Sequence, residues 1–280
     1  MSAKDIARFS EAARIHGIQV YDIPNEAEGF SVSDALAYVP AQDKTTIAVL
    51  NGFIPTSGWY EKLYEEALCK NIRLINSPKE FRVATEFHLA YAALRPFTPT
   101  SVVIHSLDEL ESVFAQLSFP LFIKGATRSL KKYGWEKCVA ENAKEAKEIV
   151  EKLLSLEFHS RGAVILRTLA KLRHTRISED GFPLGREYRV FTFKGECLAY
   201  GYYWDGEDEL AELDKREEQE VVSLARQAAL ALDVPYLALD VGQTDAGEWI
   251  VIEPGDGQCA GFGHVNVLEL VHKLSSQTEG

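Results

Sequence analysis

The 280-residue chain has few cysteines, no long apolar run and a shortage of basic charge, and each scarcity excludes a class of protein. Cys69, Cys138, Cys197 and Cys259 stand far apart without a Cys-x-x-Cys pair, which disfavours zinc and a disulfide framework and favours buried free thiols. No stretch reaches the roughly 18 uninterrupted apolar residues of a membrane span, and the opening residues 1–24 lack the apolar core of a secretory leader. Thirty basic residues against 42 acidic ones give a net charge of -12, which repels nucleic acid and anionic membrane. Neither is expected as a partner, and a cytoplasmic location follows by default. The seven histidines form no convincing metal pair and no Ser-His-Asp or Cys-His constellation, so hydrolase chemistry is discounted.

What is present is a composition for a folded core, 46% hydrophobic and 26% charged, in an alternating order of elements. Short apolar runs at Ile18 to Tyr21 and Thr46 to Leu50, with Trp59, Leu63 and Ala67 at helical spacing, suggest a small parallel-sheet lobe. Ser77-Pro78-Lys79-Glu80 opens a helix with a capping box and a first-turn proline, and the helix is expected to run to about Leu94. Arg95-Pro96-Phe97-Thr98-Pro99 interrupts helix twice and marks a lobe boundary. Ser106 and Asn142 then open helices, while Leu121 to Lys124 and Ala163 to Leu166 read as buried strands. Glu187 to Phe193, a Lys194-Gly195 turn and Glu196 to Trp204 form a hairpin, followed by a helix from Glu217 to Leu232. Tyr236 to Gly242 and Glu248 to Ile252 form a second hairpin, and the chain has no internal repeat.

The second hairpin carries Asp240 and Glu253 in otherwise apolar strands. A turn centred on Asp245-Ala246 sets Asp240 opposite Val251 with Glu253 diagonal, whereas one centred on Ala246-Gly247 sets Asp240 opposite Glu253. Either register puts both acids on one face, where they can converge on one magnesium ion and its bridging phosphates. The alternative is that each acid points into solvent at a strand end.

This hairpin resembles the metal-binding end of ATP-grasp enzymes, whose aspartate likewise precedes the glutamate by thirteen residues. That family places an asparagine two positions after the glutamate, and this chain has Gly255 there with Asp256 beside it. Asp256 supplies the missing oxygen ligand, or the second metal site is weaker, or Asp256 is an ordinary turn residue of Pro254-Gly255-Asp256-Gly257. Upstream, Lys124 ends a strand similar to the one whose lysine grips nucleotide phosphates, against the simpler reading of a snorkelling surface lysine. Gly125 to Gly134 resembles the loop that closes over triphosphate, with Arg128, Ser129 and Lys131 as phosphate candidates or as parts of a solvated basic loop. Arg167, Thr168 and Leu169 occupy the place of the hinge that holds adenine. Glu187 and Arg189 share a strand face and suit ribose hydroxyls and phosphate, or else a cross-strand salt bridge.

Taken together over Asn76 to Phe262, these stretches resemble the arginine-rich ATP-grasp branch. That branch includes predicted ligases named for two arginines and a lysine, and the eukaryotic initiation-factor assembly chaperone. The resemblance implies an α/β (α+β) ATP-grasp fold, with a pre-ATP-grasp lobe over residues 1–97 and two α+β subdomains, 98–168 and 169–280, sandwiching ATP. It implies ATP and Mg2+ as cofactors, with metal at Asp240, Glu253 and Asp256. Nucleotide contacts fall to Lys124, Arg167, Thr168, Leu169, Glu187 and Arg189, with Lys124 and Arg189 catalytic. The implied activity joins the carboxylate and amine of small-molecule or peptide substrates through an acyl phosphate; an ATP-binding assembly chaperone and a small-molecule kinase are the other readings. ATP-grasp relatives often associate as homodimers, and the sequence leaves the oligomeric state open. Arg82 is either a phosphate contact or a surface arginine, and His174 and His264 either line the substrate site or are ordinary histidines.

Overall fold

Helical caps and strand alternation set the element order in the computed structural model, which describes residues 1–278. The first part holds α1 (Ala3–Ile15), α2 (Val32–Ala35), β1 (Thr46–Ala48), α3 (Ser57–Leu68), β2 (Ile72–Leu74), α4 (Pro78–Thr85) and α5 (Phe87–Leu94). The middle holds β3 (Ser101–Ile104), α6 (Leu110–Phe114), β4 (Leu121–Gly125), β5 (Val139–Ala140), α7 (Ala143–Leu154), α8 (Glu157–Ser160) and β6 (Val164–Thr168). The last part holds β7 (His174–Ile177), β8 (Pro183–Gly185), β9 (Glu187–Phe193), β10 (Glu196–Tyr202), α9 (Lys215–Leu232), β11 (Tyr236–Gln243), β12 (Trp249–Asp256) and α10 (Val267–Thr278). No described helix is long and apolar enough to cross a membrane.

β1 and β2 pair in parallel, with α3 burying Tyr60, Leu63 and Ala67 against them. Ile18 to Tyr21 belongs to no strand. α1 leaves this lobe and packs Phe9, Ala12 and Ala13 against α10 and the inner residues Phe191 and Phe193 of the β9–β10 hairpin. The helix expected from Ser77 to Leu94 starts with its capping box but breaks into α4 and α5 at Glu86, whose backbone is extended (φ -114, ψ 93). The break has two tertiary causes. The Phe87 N–H donates to the Ala126 carbonyl (2.9 Å), and the buried Glu86 carboxylate takes Arg82 (3.1 Å), Arg161 (3.0 Å) and Ser57 (3.0 Å). Against the cost of burial, those three donors hold the Glu86 carboxyl below its ordinary range.

Two four-stranded antiparallel sheets follow, ordered β3-β6-β4-β5 and β10-β9-β11-β12. α7 covers the outer face of the first with Ala146, Ile149, Val150 and Leu153. α9 covers one face of the second, and that core also takes in α5 and Ile165 of β6, so it welds the two sheets. Lys194 (φ 50) and Gly195 (φ 83) turn the β9–β10 hairpin with both residues left-handed, the geometry a tight hairpin needs.

The acidic hairpin combines both expected registers. Near the turn, Val241 pairs with Val251, but a β-bulge shifts the register by one and Asp240 faces Glu253. The shift decides which way Glu253 points. Val251 lies in the core shared with α9, and strict alternation would send Glu253 to that same face; the extra residue, Ile252, turns Glu253 to the face of Asp240.

Asn76 ties the start of β11 to the first lobe. Its amide accepts from the Tyr236 N–H (2.9 Å) and donates to the Tyr236 carbonyl (2.8 Å) and to Asp256 Oδ2 (2.9 Å), all buried. Asn76→Ala removes the partner of the Tyr236 N–H and of Asp256 Oδ2 at about 1 kcal/mol or more each, while the Tyr236 carbonyl keeps the Gly257 N–H (3.3 Å). Urea denaturation should show a stability loss on the order of 2 kcal/mol; a loss below about 1 kcal/mol would contradict the role of this tie.

Candidate active site

Strand alternation sends Glu187 and Arg189 of β9 to one face of the second sheet and Arg186 and Tyr188 to the other. On the far face Arg186 is structural, bonded to Glu217 (2.5 Å), Gln243 (2.7 Å) and the Leu210 carbonyl (3.2 Å). On the near face Arg189 sits cross-strand from Asp240 and makes two parallel bonds to it, Nε to Oδ1 and Nη2 to Oδ2, each 2.8 Å. Arg189 also donates to the Gly261 carbonyl (2.8 Å) and lies over the Tyr203 ring at 4.6 Å.

The first sheet faces this surface with Lys124 of β4 and Arg167 of β6, both buried. The Lys124 ammonium pairs with Glu253 Oε2. Arg167 Nη1 donates to the Ile252 carbonyl (2.7 Å), the backbone group that the bulge releases from the ladder, and its Nε donates to Ser101 (3.3 Å). Phe87 forms the floor beneath both cations, 4.4 Å from Arg167 and 5.4 Å from Lys124. Lys131 enters from the loop after β4, donating to Tyr203 Oη (3.0 Å).

The charges are strongly biased by one another. Burial pushes Lys124 below the usual lysine range, with Glu253 opposing and Arg167 adding to the shift. Burial acts against the Glu253 carboxylate, yet Lys124, Lys131 and Arg167 together hold it well below the carboxylate range. Burial brings Arg167 down to about 10. Glu187 has no paired cation: burial, with Asp240 and Glu253 nearby, raises its carboxyl to about 8. The cleft therefore sets Lys124, Lys131, Arg167 and Arg189 around two salt-bridged carboxylates, with the Glu187 carboxyl raised to about 8.

Comparison with known proteins places the fold. Residues 103–274 match an ATP-grasp domain, family 3 of the clade whose name abbreviates two arginines and a lysine. The chain belongs to that family. No curated protein matches it in sequence. Among solved structures, the RimK domain protein ATP-grasp from Sphaerobacter thermophilus superposes with a TM-score of 0.65 at 12% identity, covering 100% of this chain and 97% of that one. D-alanine–D-alanine ligase from Bacillus anthracis, complexed with ATP, gives 0.54 at 15% identity over 79% and 77%. VanG D-Ala:D-Ser ligase from Enterococcus faecalis gives 0.56 at 16% identity over 78% and 69%. The fold is thus an ATP-grasp fold of mixed α and β content.

In this ATP-grasp chain the donor set fits a magnesium ion in a limited way. Asp240 and Glu253 are directly paired carboxylates on the cleft face, and magnesium characteristically takes one or two carboxylates plus substrate phosphates. The described residues contain no group of three or more His, Cys, Asp or Glu able to hold a metal by themselves. Asp256 does not join the pair, contrary to the expectation from its position beside the missing asparagine. Its Oδ2 accepts from Asn76 (2.9 Å) and its Oδ1 from the Gln258 N–H (2.8 Å), so both oxygens are taken by buried protein donors, and burial raises its carboxyl to about 6.

Other expected residues lie away from the cluster or offer little to a ligand. The N–H groups of Thr168 and Leu169 donate to Thr100 (2.9 Å) and Pro120 (3.4 Å), so any main-chain contact with a base there falls to carbonyls or to later residues. Arg128 lies over Phe158 (4.6 Å), and Arg82 is engaged with Glu86. His174 is exposed, and His264 stands edge-on to Tyr202 at 5.9 Å. Phe87 and Tyr203 carry no signal in the sequence, because an aromatic in an apolar helix and one after an apolar strand read simply as core.

Glu187 yields a pH test. Its carboxyl is raised in the folded chain, so the stability linked to it is complete below about pH 4.5 and is lost as pH rises through about 8. Without nucleotide, Glu187→Gln should raise the melting temperature increasingly between pH 5 and 8.5. A mutant-minus-wild-type difference that stays flat over that range would contradict the assignment.

Proposed function

We propose that the chain is an ATP- and magnesium-dependent ligase that joins a carboxylate to an amine through an acyl phosphate. The observation that carries the reading is the charge set of the cleft. Lys124, Lys131, Arg167 and Arg189 face the salt-bridged Asp240 and Glu253, with Glu187 neutral. A cleft with more basic groups than paired carboxylates suits a magnesium-bound triphosphate. Two of the similar folds carry the names of ligases for D-alanine with D-alanine and with D-serine, which adds support.

On this reading the nucleotide phosphates displace the internal pairing. Lys124 and Arg167, held between Phe87 and the acidic hairpin, bind phosphate oxygens. Asp240 and Glu253, freed from their cations, would hold magnesium, which would supply charge neutralisation at the phosphates. Arg189 stabilises the transferring phosphoryl group as negative charge shifts between its oxygens. Lys131, steered by Tyr203, closes the cleft from the loop after β4. Glu187 takes a ribose hydroxyl. The substrate carboxylate attacks the terminal phosphorus and ADP leaves; the amine then attacks the acyl carbon and phosphate leaves.

Purified protein incubated with Mg-ATP and pools of amino acids or short peptides should release phosphate and form an amine-dependent condensation product, followed by mass. A phosphorylated product without condensation would make it a kinase, and binding without turnover would fit an assembly factor. Lys124→Ala and Asp240→Asn should each weaken nucleotide binding at least ten-fold, about 1.4 kcal/mol. Unchanged affinity in both variants would remove the site.

A further inference from the structure

A single tight turn directs two cations to different sides. Lys124 ends β4 and faces the cleft between the sheets, whereas the exposed Arg128, four residues on, lines a cavity of about 1800 Å³ formed mainly by the first lobe, with α1, α10 and Phe158. The turn is held firmly. The Gly125 N–H donates to the Arg128 carbonyl (2.9 Å), and the N–H groups of Thr127 (2.9 Å) and Arg128 (3.3 Å) donate to the His159 carbonyl. A Cβ at Gly125 would collide with that same oxygen, so glycine is required for this close approach.

The Arg128 guanidinium lies on the face of Phe158, which also lines the cavity, and it belongs to none of the ion pairs among the described residues. Its neighbourhood is cationic in a chain of net charge -12. Arg161 adds to the burial that pushes Arg128 down, and Arg128 and Lys132 add to the burial that pushes His159 down. Arg161 itself is fixed by Glu86, and the nearby acid Glu26 is occupied with Thr56 (2.7 and 2.6 Å). The lining also includes the apolar Phe9, Leu50 and Ile54.

The cavity adjoins the phosphate cluster through one loop. Gln258 takes the Leu50 N–H on its side chain (2.9 Å) and the Gly52 N–H on its carbonyl (3.2 Å), while the Gly261 carbonyl three residues on takes Arg189. We propose that this cavity receives the second substrate, an amino-acid-like or peptide-like molecule with an apolar body, and that Arg128 binds its free carboxylate. The role as acceptor site rests on the ligase reading; anion binding at Arg128 does not.

Ligand-observed NMR with benzoate and its neutral isostere benzamide tests this, with binding of the non-hydrolysable Mg-ATP analogue AMPPNP measured alongside. Benzoate should bind the wild type more tightly than benzamide does. Arg128→Gln should weaken benzoate at least five-fold and Arg128→Lys less, with benzamide unaffected by either. Mg-AMPPNP should leave benzoate bound. Equal binding of the two probes, benzoate affinity unchanged in Arg128→Gln, or displacement of benzoate by the nucleotide would each overturn the assignment. Failure of Mg-AMPPNP to bind the wild type would count against the ATP reading alone, because the benzoate comparison is read without it.

Discussion

Two ion pairs in the cleft, Arg189 with Asp240 and Lys124 with Glu253, are the interactions on which the site depends. Each buries charge at a substantial desolvation cost, and geometry offsets it: Arg189 meets its carboxylate with two parallel bonds, and Lys124 sits over an aromatic floor. Removing one partner alone from such a pair leaves an uncompensated buried charge, typically a penalty of about 3 to 5 kcal/mol. The pairs also connect structural levels. Arg189 to Asp240 is a cross-strand contact within the second sheet, while Lys124 to Glu253 and Arg167 to Ile252 join the two sheets. The same charges that hold the cleft together are those that the proposed reading assigns to a magnesium nucleotide, so on that reading binding is an exchange of partners.

The bulge at Ile252 is the backbone feature that makes this possible. It turns Glu253 from the α9 core toward Asp240, and it frees the carbonyl that Arg167 uses. A regular hairpin with the same residues would bury Glu253 beside Val251 and leave Lys124 without its partner. The large cavity on the other side of the Gly125 turn lies next to the cleft: residues 50–53 bond to residues 258–259, and the Met1 amine feels both Arg128 and Arg189.

Much of this was legible because charge breaks an apolar pattern. Asp240 and Glu253 within hydrophobic strands, Lys124 ending one, and the Glu187–Arg189 alternation all announce groups that must meet partners, and the caps at Ser77 and Asn142 mark helix starts through local bonds. What was hidden depends on contacts distant in sequence. The break at Glu86 is imposed by Arg161 and Ala126, the bulge by the fit of β12 between β11 and Arg167, and the path of α1 by α10. Asp256 departs from expectation for the same reason. A local Pro-Gly-Asp-Gly turn beside a metal-type glutamate gives no sign that Asn76, 180 residues earlier, will claim one of its oxygens.

Calorimetric titration of nucleotide and magnesium, separately and together, tests the exchange of partners most directly. Magnesium alone should bind weakly, because Asp240 and Glu253 are already paired, and ATP in the presence of a chelator should bind weakly too. Together they should bind at least ten-fold more tightly than ATP alone. Tight binding of magnesium without nucleotide, or an ATP affinity indifferent to the metal, would contradict it.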